Sequence, residues 1–442
     1  MFKNIVSNSV SLVKYLVRWV AIIVPVAVAI GSMVAFFLWL LTWAIHFRFA
    51  HTWLLYLLPI AGVVIHLLYK WYGQSAERGN NLIIDEIHQP GAGVPKRMAP
   101  LILITTVITH LFGGSSGREG TAVQIGGSLA NLFGNWFKLN EADKKVILTA
   151  GVAAGFGAVF GTPLTGTIFA LEVIAIGRIP YRSFFACLIA GYVGDITVSL
   201  WGIHHTPYHV DIVNTSQTIY GIHLPVNLLL LGKVMVASAV FGMVSYAFAQ
   251  AVHMVKNISL KLIKVTWCIP IAGGLAIILL TYILGKPDYL SLGVDAEYPG
   301  AVTVVSAFQH AGADALSWLW KLIYTAITLG TGFKGGEVTP LFYIGSTLGN
   351  TLAELMNAPV GLFAALGFIA VFAGATNTPL ACTLMGVELF GGHYAIFFAV
   401  ACFTAYFFSG DGGIYSAQKT ALANTDLANR KYLIRMFGKY KL

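Results

Sequence analysis

The sequence predicts an all-α polytopic membrane protein with a duplicated architecture. Three observations predict it: charge is scarce, apolar stretches come in a long class and a short class, and one half of the chain repeats motifs of the other.

Of 442 residues, 57% are hydrophobic and only 10% are charged. A soluble domain carries roughly 25% charged residues. This excludes a cytosolic enzyme, a disordered protein and a nucleic-acid binder. The 47 glycines are many for a soluble helical protein and ordinary for packed membrane helices. Net charge is +9, from 27 Lys and Arg against 18 Asp and Glu, and in a membrane protein it reports orientation. Lys3, Lys14 and Arg18 precede or touch the first apolar stretch. Lys419, Arg430, Lys431, Arg435, Lys439 and Lys441 crowd the other end. Both termini therefore read as cytoplasmic, with an even number of crossings. The apolar run Trp19 to Trp43 is too long for a signal-peptide core, so no cleavable signal is expected. Cys187, Cys268, Cys382 and Cys402 stand apart in apolar surroundings, so neither disulfide, structural metal nor cofactor is expected.

Along the chain, residues 1–18 read as a cytoplasmic segment, 19–205 as a first membrane repeat, 206–224 as a polar loop, 225–415 as a second repeat and 416–442 as a basic cytoplasmic tail. No large regulatory domain is expected after Tyr415. Stretches 19–45, 53–70, 183–202, 225–253 and 265–284 are long enough to span. Stretches 99–112, 121–137, 147–160, 163–177, 339–356, 360–374, 378–390 and 393–409 are shorter, many of them separated by Gly or Pro. A crossing needs roughly 20 residues. Broken helices survive at membrane depth only where protein or a water-filled path satisfies their ends. Paired short segments point to a transport site.

The repeat is explicit. Thr162-Pro163-Leu164 recurs as Thr378-Pro379-Leu380, with Thr167 matching Thr383 and Glu172 matching Glu388 at an offset of 216. Gly117-Arg118-Glu119-Gly120-Thr121 resembles Gly335-Gly336-Glu337-Val338-Thr339 at an offset of 218. One residue later in register, Ile125-Gly126, Leu129 and Asn131 match Ile344-Gly345, Leu348 and Asn350.

Chemistry concentrates in Gly113-Gly114-Ser115-Ser116-Gly117-Arg118-Glu119-Gly120-Thr121, a glycine-rich loop opening an apolar helix. Glycines let N–H groups converge, and the helix start adds partial positive charge, which suits an anion. Glu119 placed there can occupy the anion's position, or leave it when protonated. An ionisable group at the bilayer centre costs roughly 2.5–3.5 kcal/mol on insertion scales, so such groups are usually functional. Gly335-Gly336-Glu337-Val338-Thr339-Pro340 marks a second helix start, with proline in its first turn. Gly79-Asn80-Asn81 marks a third. Converging starts would form a dehydrated cradle, to which Tyr415 could add a hydroxyl.

On these motifs the chain resembles the CLC family of anion channels and anion–proton exchangers. GREGT is similar to that family's GREGP, GGEVTP to its GxFxP-type helix start, and TPL with FALE and the IYS tyrosine also fit. The resemblance covers about residues 20–420. It implies a CLC-type fold of two inverted repeats with broken or re-entrant helices, a homodimer with one pore per subunit, and Glu119 as the gating and proton-transfer residue. Departures narrow the likeness. Asn80 stands where the family's GSGIP serine usually holds the central anion. Val173 stands where exchangers usually carry an inner proton glutamate. Glu337 replaces an apolar residue, and Thr121 a proline. This set resembles the fluoride–proton exchanger branch.

The residues make chemical sense of that implication. Fluoride holds water tightly, so its hydration must be replaced by strong donors. Asn80 offers an amide, Thr339 and Tyr415 hydroxyls, and Gly117, Arg118, Gly120 and Val338 stand at the helix starts as anion-binding candidates; protonated Glu119 can donate, and the resemblance implies that Glu337 and Thr339 bind fluoride or the proton on a second route. The expectation is a fluoride/proton antiporter exporting fluoride, with fluoride or chloride and protons as its ions. It would be a non-enzyme, a multi-pass homodimer in the lipid of a bacterial inner membrane. A chloride channel or chloride/proton exchanger of the same fold is the rival. Asp85, Glu86 and His88 read as an interfacial cluster, not a metal site. His110 reads as a packed or hydrogen-bonded histidine. Gly113-x-Ser115-x-Gly117 matches a hydrolase nucleophile elbow but follows a membrane stretch where a strand is required.

Overall fold

The computed structural model describes residues 2–177, 179–211, 216–219, 222–224, 226–410 and 412–420. The helices of the first half are α1 (Phe2–Ala50), α2 (Leu58–Tyr72), α3 (Asn80–His88), α4 (Met98–Leu111), α5 (Glu119–Trp136), α6 (Glu141–Phe160), α7 (Pro163–Glu172) and α8 (Phe184–Leu200). The second half holds α9 (Leu228–Leu262), α10 (Ile269–Leu284), α11 (Ser317–Gly330), α12 (Val338–Met356), α13 (Val360–Thr376), α14 (Pro379–Phe390) and α15 (Ala395–Phe408). Among the described residues, sheet structure is confined to a two-residue parallel pairing of β1 (Ala175–Ile176) with β4 (Lys419–Thr420) and an antiparallel pairing of β2 (Gln217–Ile219) with β3 (Ile222–Leu224).

The long and short classes persist. Among the described residues, five helical stretches are long and apolar enough to cross a membrane: Leu16–Ala50, Thr52–Tyr72, Tyr181–Leu200, Leu228–Leu262 and Thr266–Leu284. Two features go beyond the expected stretches. Residues 2–18 are helical and continuous with the first spanning stretch in α1. Their Lys, Asn and Ser side chains hide a helix from an apolar scan. α11 was absent from the expected stretches, because Lys321 interrupts its apolar run. The polar loop at 206–224 contains the β2–β3 hairpin. The basic tail beyond Thr420 lies outside the described residues.

Small residues set how closely the helices pack. A Cβ added to Gly126 of α5 would stand 2.1 Å from the Gly151 carbonyl oxygen of α6. Its counterpart Gly345 of α12 would meet the Gly367 oxygen of α13 at 2.0 Å. The same close crossing is thus built twice. α13 is buried along almost its whole length, and α6 from Val146 onward, so the pair forms the middle of the molecule. Matched asparagines do matched work: Asn131 Nδ2 donates to the Val94 carbonyl, Asn350 Nδ2 to those of Ala307 and Gln309.

The halves meet reciprocally. Glu388 of α14 accepts the N–H groups of Leu164 and Thr165 at the start of α7, at 2.9 and 2.7 Å. Glu172 of α7 accepts those of Leu380 and Ala381 at the start of α14, at 3.1 and 2.8 Å. Each carboxylate satisfies donors that a helix start leaves unpaired. Gly117 and Gly336 likewise exchange both backbone hydrogen bonds, at 2.6 and 2.7 Å, in an antiparallel bridge. This mutual pattern is the signature of an approximate two-fold axis between the halves.

Candidate anion and proton site

The bridge between Gly117 and Gly336 brings the starts of α5 and α12 face to face. Neither glycine could carry a side chain without conflict: a Cβ on Gly117 would lie 2.7 Å from Glu119 Oε2 and 3.0 Å from the Thr339 nitrogen. Into this junction folds the Glu119 side chain, only 1% exposed. Its Oε2 accepts the N–H of Thr339 at 3.0 Å and that of Arg118 at 3.1 Å. Its Oε1 accepts the Thr339 hydroxyl. Arg118 Nε approaches Oε1 at 3.8 Å while making no hydrogen bond of its own. A carboxylate of the first half therefore sits in donors that belong largely to the second half. These donors would serve any compact anion equally well.

Beyond Gly120 lies a cavity of about 210 Å³, lined by Asn80, Gln124, Lys334, Glu337 and Tyr415 among others. Gly120 packs against two of the residues at its edge, Gly336 and Asn80. A Cβ there would come within 3.1 Å of Gly336 Cα and 3.2 Å of Asn80 Nδ2. The start of α3 reaches this edge through Gly79, whose φ of +57° favours glycine. The three glycine-marked helix starts thus border one small region. Glu337 and Thr339, two residues apart, part company: Glu337 lines the cavity, and Thr339 holds Glu119. Val338, buried between them, contributes no polar side chain. Tyr415 is held by its neighbours: Ile414 N–H donates to the Ala375 carbonyl and Ala417 N–H to Asn81 Oδ1.

Sequence reasoning missed Gln124 and Lys334 as residues of this cavity. Gln124 Oε1 is buried on the cavity wall without a hydrogen bond, as is Asn80 Oδ1. A glutamine inside an apolar helix, five residues after Glu119, was the available signal. Lys334 Nζ lies 4.2 Å from the Tyr69 ring centroid and also borders the cavity.

The weaker motifs resolve into packing. His110 is fully buried, with Nε2 3.2 Å from Ser116 Oγ and Nδ1 3.3 Å from Ser291 Oγ. A hydrolase would need a carboxylate at the second nitrogen, and a serine stands there. Asp85 pairs with Arg78, Glu86 accepts the Gly91 N–H, and His88 contacts the Ile174 carbonyl, so the three have separate partners.

Two inverted helical halves closing on a buried carboxylate, beside a polar cavity, define an ion-translocating membrane protein. The model of the voltage gated chloride channel family matches residues 61–410, and the chain belongs to this CLC family. It is 46% identical over 412 residues to a chloride/fluoride channel protein of Pseudomonas syringae pv. tomato, covering 93% of this chain and 88% of that one. An H+/Cl− exchange transporter of Vibrio cholerae is 23% identical over 69% of this chain and 68% of its own. Among solved structures, a CLC-type fluoride/proton antiporter superposes with a TM-score of 0.83 at 35% identity, over 92% of this chain and 98% of the other. A slow cyanobacterial Cl−/H+ antiporter shares the fold, with a TM-score of 0.73 at 19% identity over 94% and 98%.

Proposed function

We propose that the protein is a fluoride/proton antiporter that exports fluoride from the cytoplasm in exchange for protons. One observation carries the reading: the Glu119 carboxylate occupies a ready-made anion seat, one glycine away from a cavity bearing an amide, a second carboxylate and a phenol. While ionised, Glu119 fills the seat and blocks the track. A proton arriving from outside neutralises it and removes its advantage over an anion. The neutral side chain leaves, fluoride takes the N–H and hydroxyl donors of Thr339, and the proton is later released inward. Fluoride is the better substrate for this seat because it is a compact, strong acceptor, and Asn80 and Tyr415 add donors on the inner side. Glu337 supplies a second protonatable group facing the cavity. The names of the two relatives above 30% identity support the ion assignment.

The same proposal places the chain as a homodimer in a bacterial inner membrane, both termini cytoplasmic. Purified protein in liposomes tests the core of it. An inward proton gradient should drive fluoride out against its own gradient. Chloride flux equal to fluoride flux, without proton movement, would select the passive chloride channel instead.

A further inference from the structure

The cavity beside Glu119 holds an amide that the proposed cycle leaves unused. Gln124 stands five residues after Glu119 on α5. At 3.6 residues per turn it points roughly 140° away from Glu119 around the helix, so it serves a different space from the carboxylate's seat. Its side chain is buried, and it lines the cavity together with Asn80. Gln124 Oε1 and Asn80 Oδ1 are both buried, and neither accepts a hydrogen bond. An unpaired buried polar group is costly, so two of them bordering one cavity point to an occupant that engages the amides. The next residue shows the contrast: Asn81 Oδ1 is taken by the Ala417 N–H at 3.0 Å.

Two glycines bring these amides against helix starts. A Cβ on Gly79 would stand 3.3 Å from Gln124 Nε2, and one on Gly120 would stand 3.2 Å from Asn80 Nδ2. Gln124 thus lies against the turn that opens α3, and Asn80 against the turn that opens α5. Each start leaves backbone N–H groups without helical partners and carries partial positive charge. No protein donor pins either amide by its oxygen, so each can turn its NH2 to the cavity, and the pair offers four hydrogens. Lys334 borders the same space. Donors from two amides and two helix starts suit a small acceptor that has lost its water.

We infer that Gln124 is a specificity-determining residue, its amide closing with that of Asn80 on a fluoride ion in the cavity. The inference rests on the fluoride reading and gives it a second station, after the anion has left the donors of Thr339. Fluoride gains more than chloride from such a clamp, because it is the more compact ion and the stronger acceptor.

The test uses the full chain in liposomes. Gln124→Met keeps the length and flexible stem of the side chain and removes both donors. Loss of one bond to an ion should raise the KM for fluoride roughly tenfold or more, and the ratio of fluoride to chloride flux should fall by a similar factor. A residue that only packs would lower both fluxes alike, and that result overturns the inference. A second measurement reads the wild type directly and does not depend on how Gln124→Met folds. With isotopically labelled glutamine, the side-chain amide NMR signal missing from Gln124→Asn protein reports Gln124. Added fluoride should shift this signal, and chloride at the same concentration should shift it less. No shift with fluoride, or an equal shift with both ions, overturns the inference. Wild-type liposomes separate the two claims. Absence of proton-driven fluoride export there removes the antiport reading itself, whereas export that persists in Gln124→Met with an unchanged ion preference removes only the amide clamp.

Discussion

Replacing Glu119 by glutamine isolates the step on which the proposed exchange depends. The wild-type carboxylate is docked by three hydrogen bonds, from Thr339 N–H, Thr339 hydroxyl and Arg118 N–H. Bonds to a charged acceptor contribute about 1.5–3 kcal/mol and neutral ones about 0.5–1.5. The amide keeps the shape but forfeits the charge and replaces one accepting oxygen by an NH2 that cannot accept, so docking weakens by at least about 3–4.5 kcal/mol, roughly 150- to 2,000-fold or more. The variant thus behaves as permanently protonated. The assay loads liposomes with fluoride and follows external pH as fluoride leaves. Wild-type protein should make the outside alkaline, because protons enter as fluoride exits. Glu119→Gln should abolish this alkalinisation, and any remaining fluoride flux should be independent of pH. Proton uptake at the wild-type ratio of proton to fluoride would refute the reasoning, because no other group could then be excused from carrying the proton.

Asn80→Ser removes one amide donor from the cavity wall, and the ratio of fluoride to chloride flux should fall roughly tenfold, about the net contribution of one bond to an ion. Glu388→Ala strips α7 of the acceptor for two N–H groups and the Thr165 hydroxyl, which should cost about 2–4 kcal/mol in thermal unfolding. Glu172→Ala, with only two donors to orphan, should cost less; the reverse order would contradict the reciprocal-cap account. Gly126→Ala drives a methyl to 2.1 Å from a backbone oxygen and should cost about 3 kcal/mol or prevent a monodisperse product, whereas Gly232→Ala, with open space around it, should be tolerated.

The apolar stretches announced nearly every helix, because burial in lipid or in a packed interior leaves the same mark on composition. α11 escaped because Lys321 sits fully buried inside it, donating to the Tyr289 and Ser291 carbonyls, a solution that needs distant residues to be in place. The placement of the glycine-marked starts was legible in the motifs, and the repeat joined them into pairs. Which pair member touches which was not. That Glu119 is held by Thr339, or that Glu172 and Glu388 each cap the other's partner helix, follows from the two-fold relation in space, and a linear offset carries no distance. Gln124 was overlooked for a related reason: only the cavity shows that its amide faces the same space as Asn80.

The glycine bridge between the starts of α5 and α12 has a mechanical consequence. Transporters built from two halves can alternate access by rocking one half against the other, which requires a seam free to slide. Here the seam is stitched at the ion track itself by two backbone bonds, and again by carboxylates that cross over in both directions. Rocking would tear all of these at once. Under the proposed exchange, the moving part reduces to the Glu119 side chain swinging against a fixed frame, and how firmly that side chain is gripped would set the speed of the cycle.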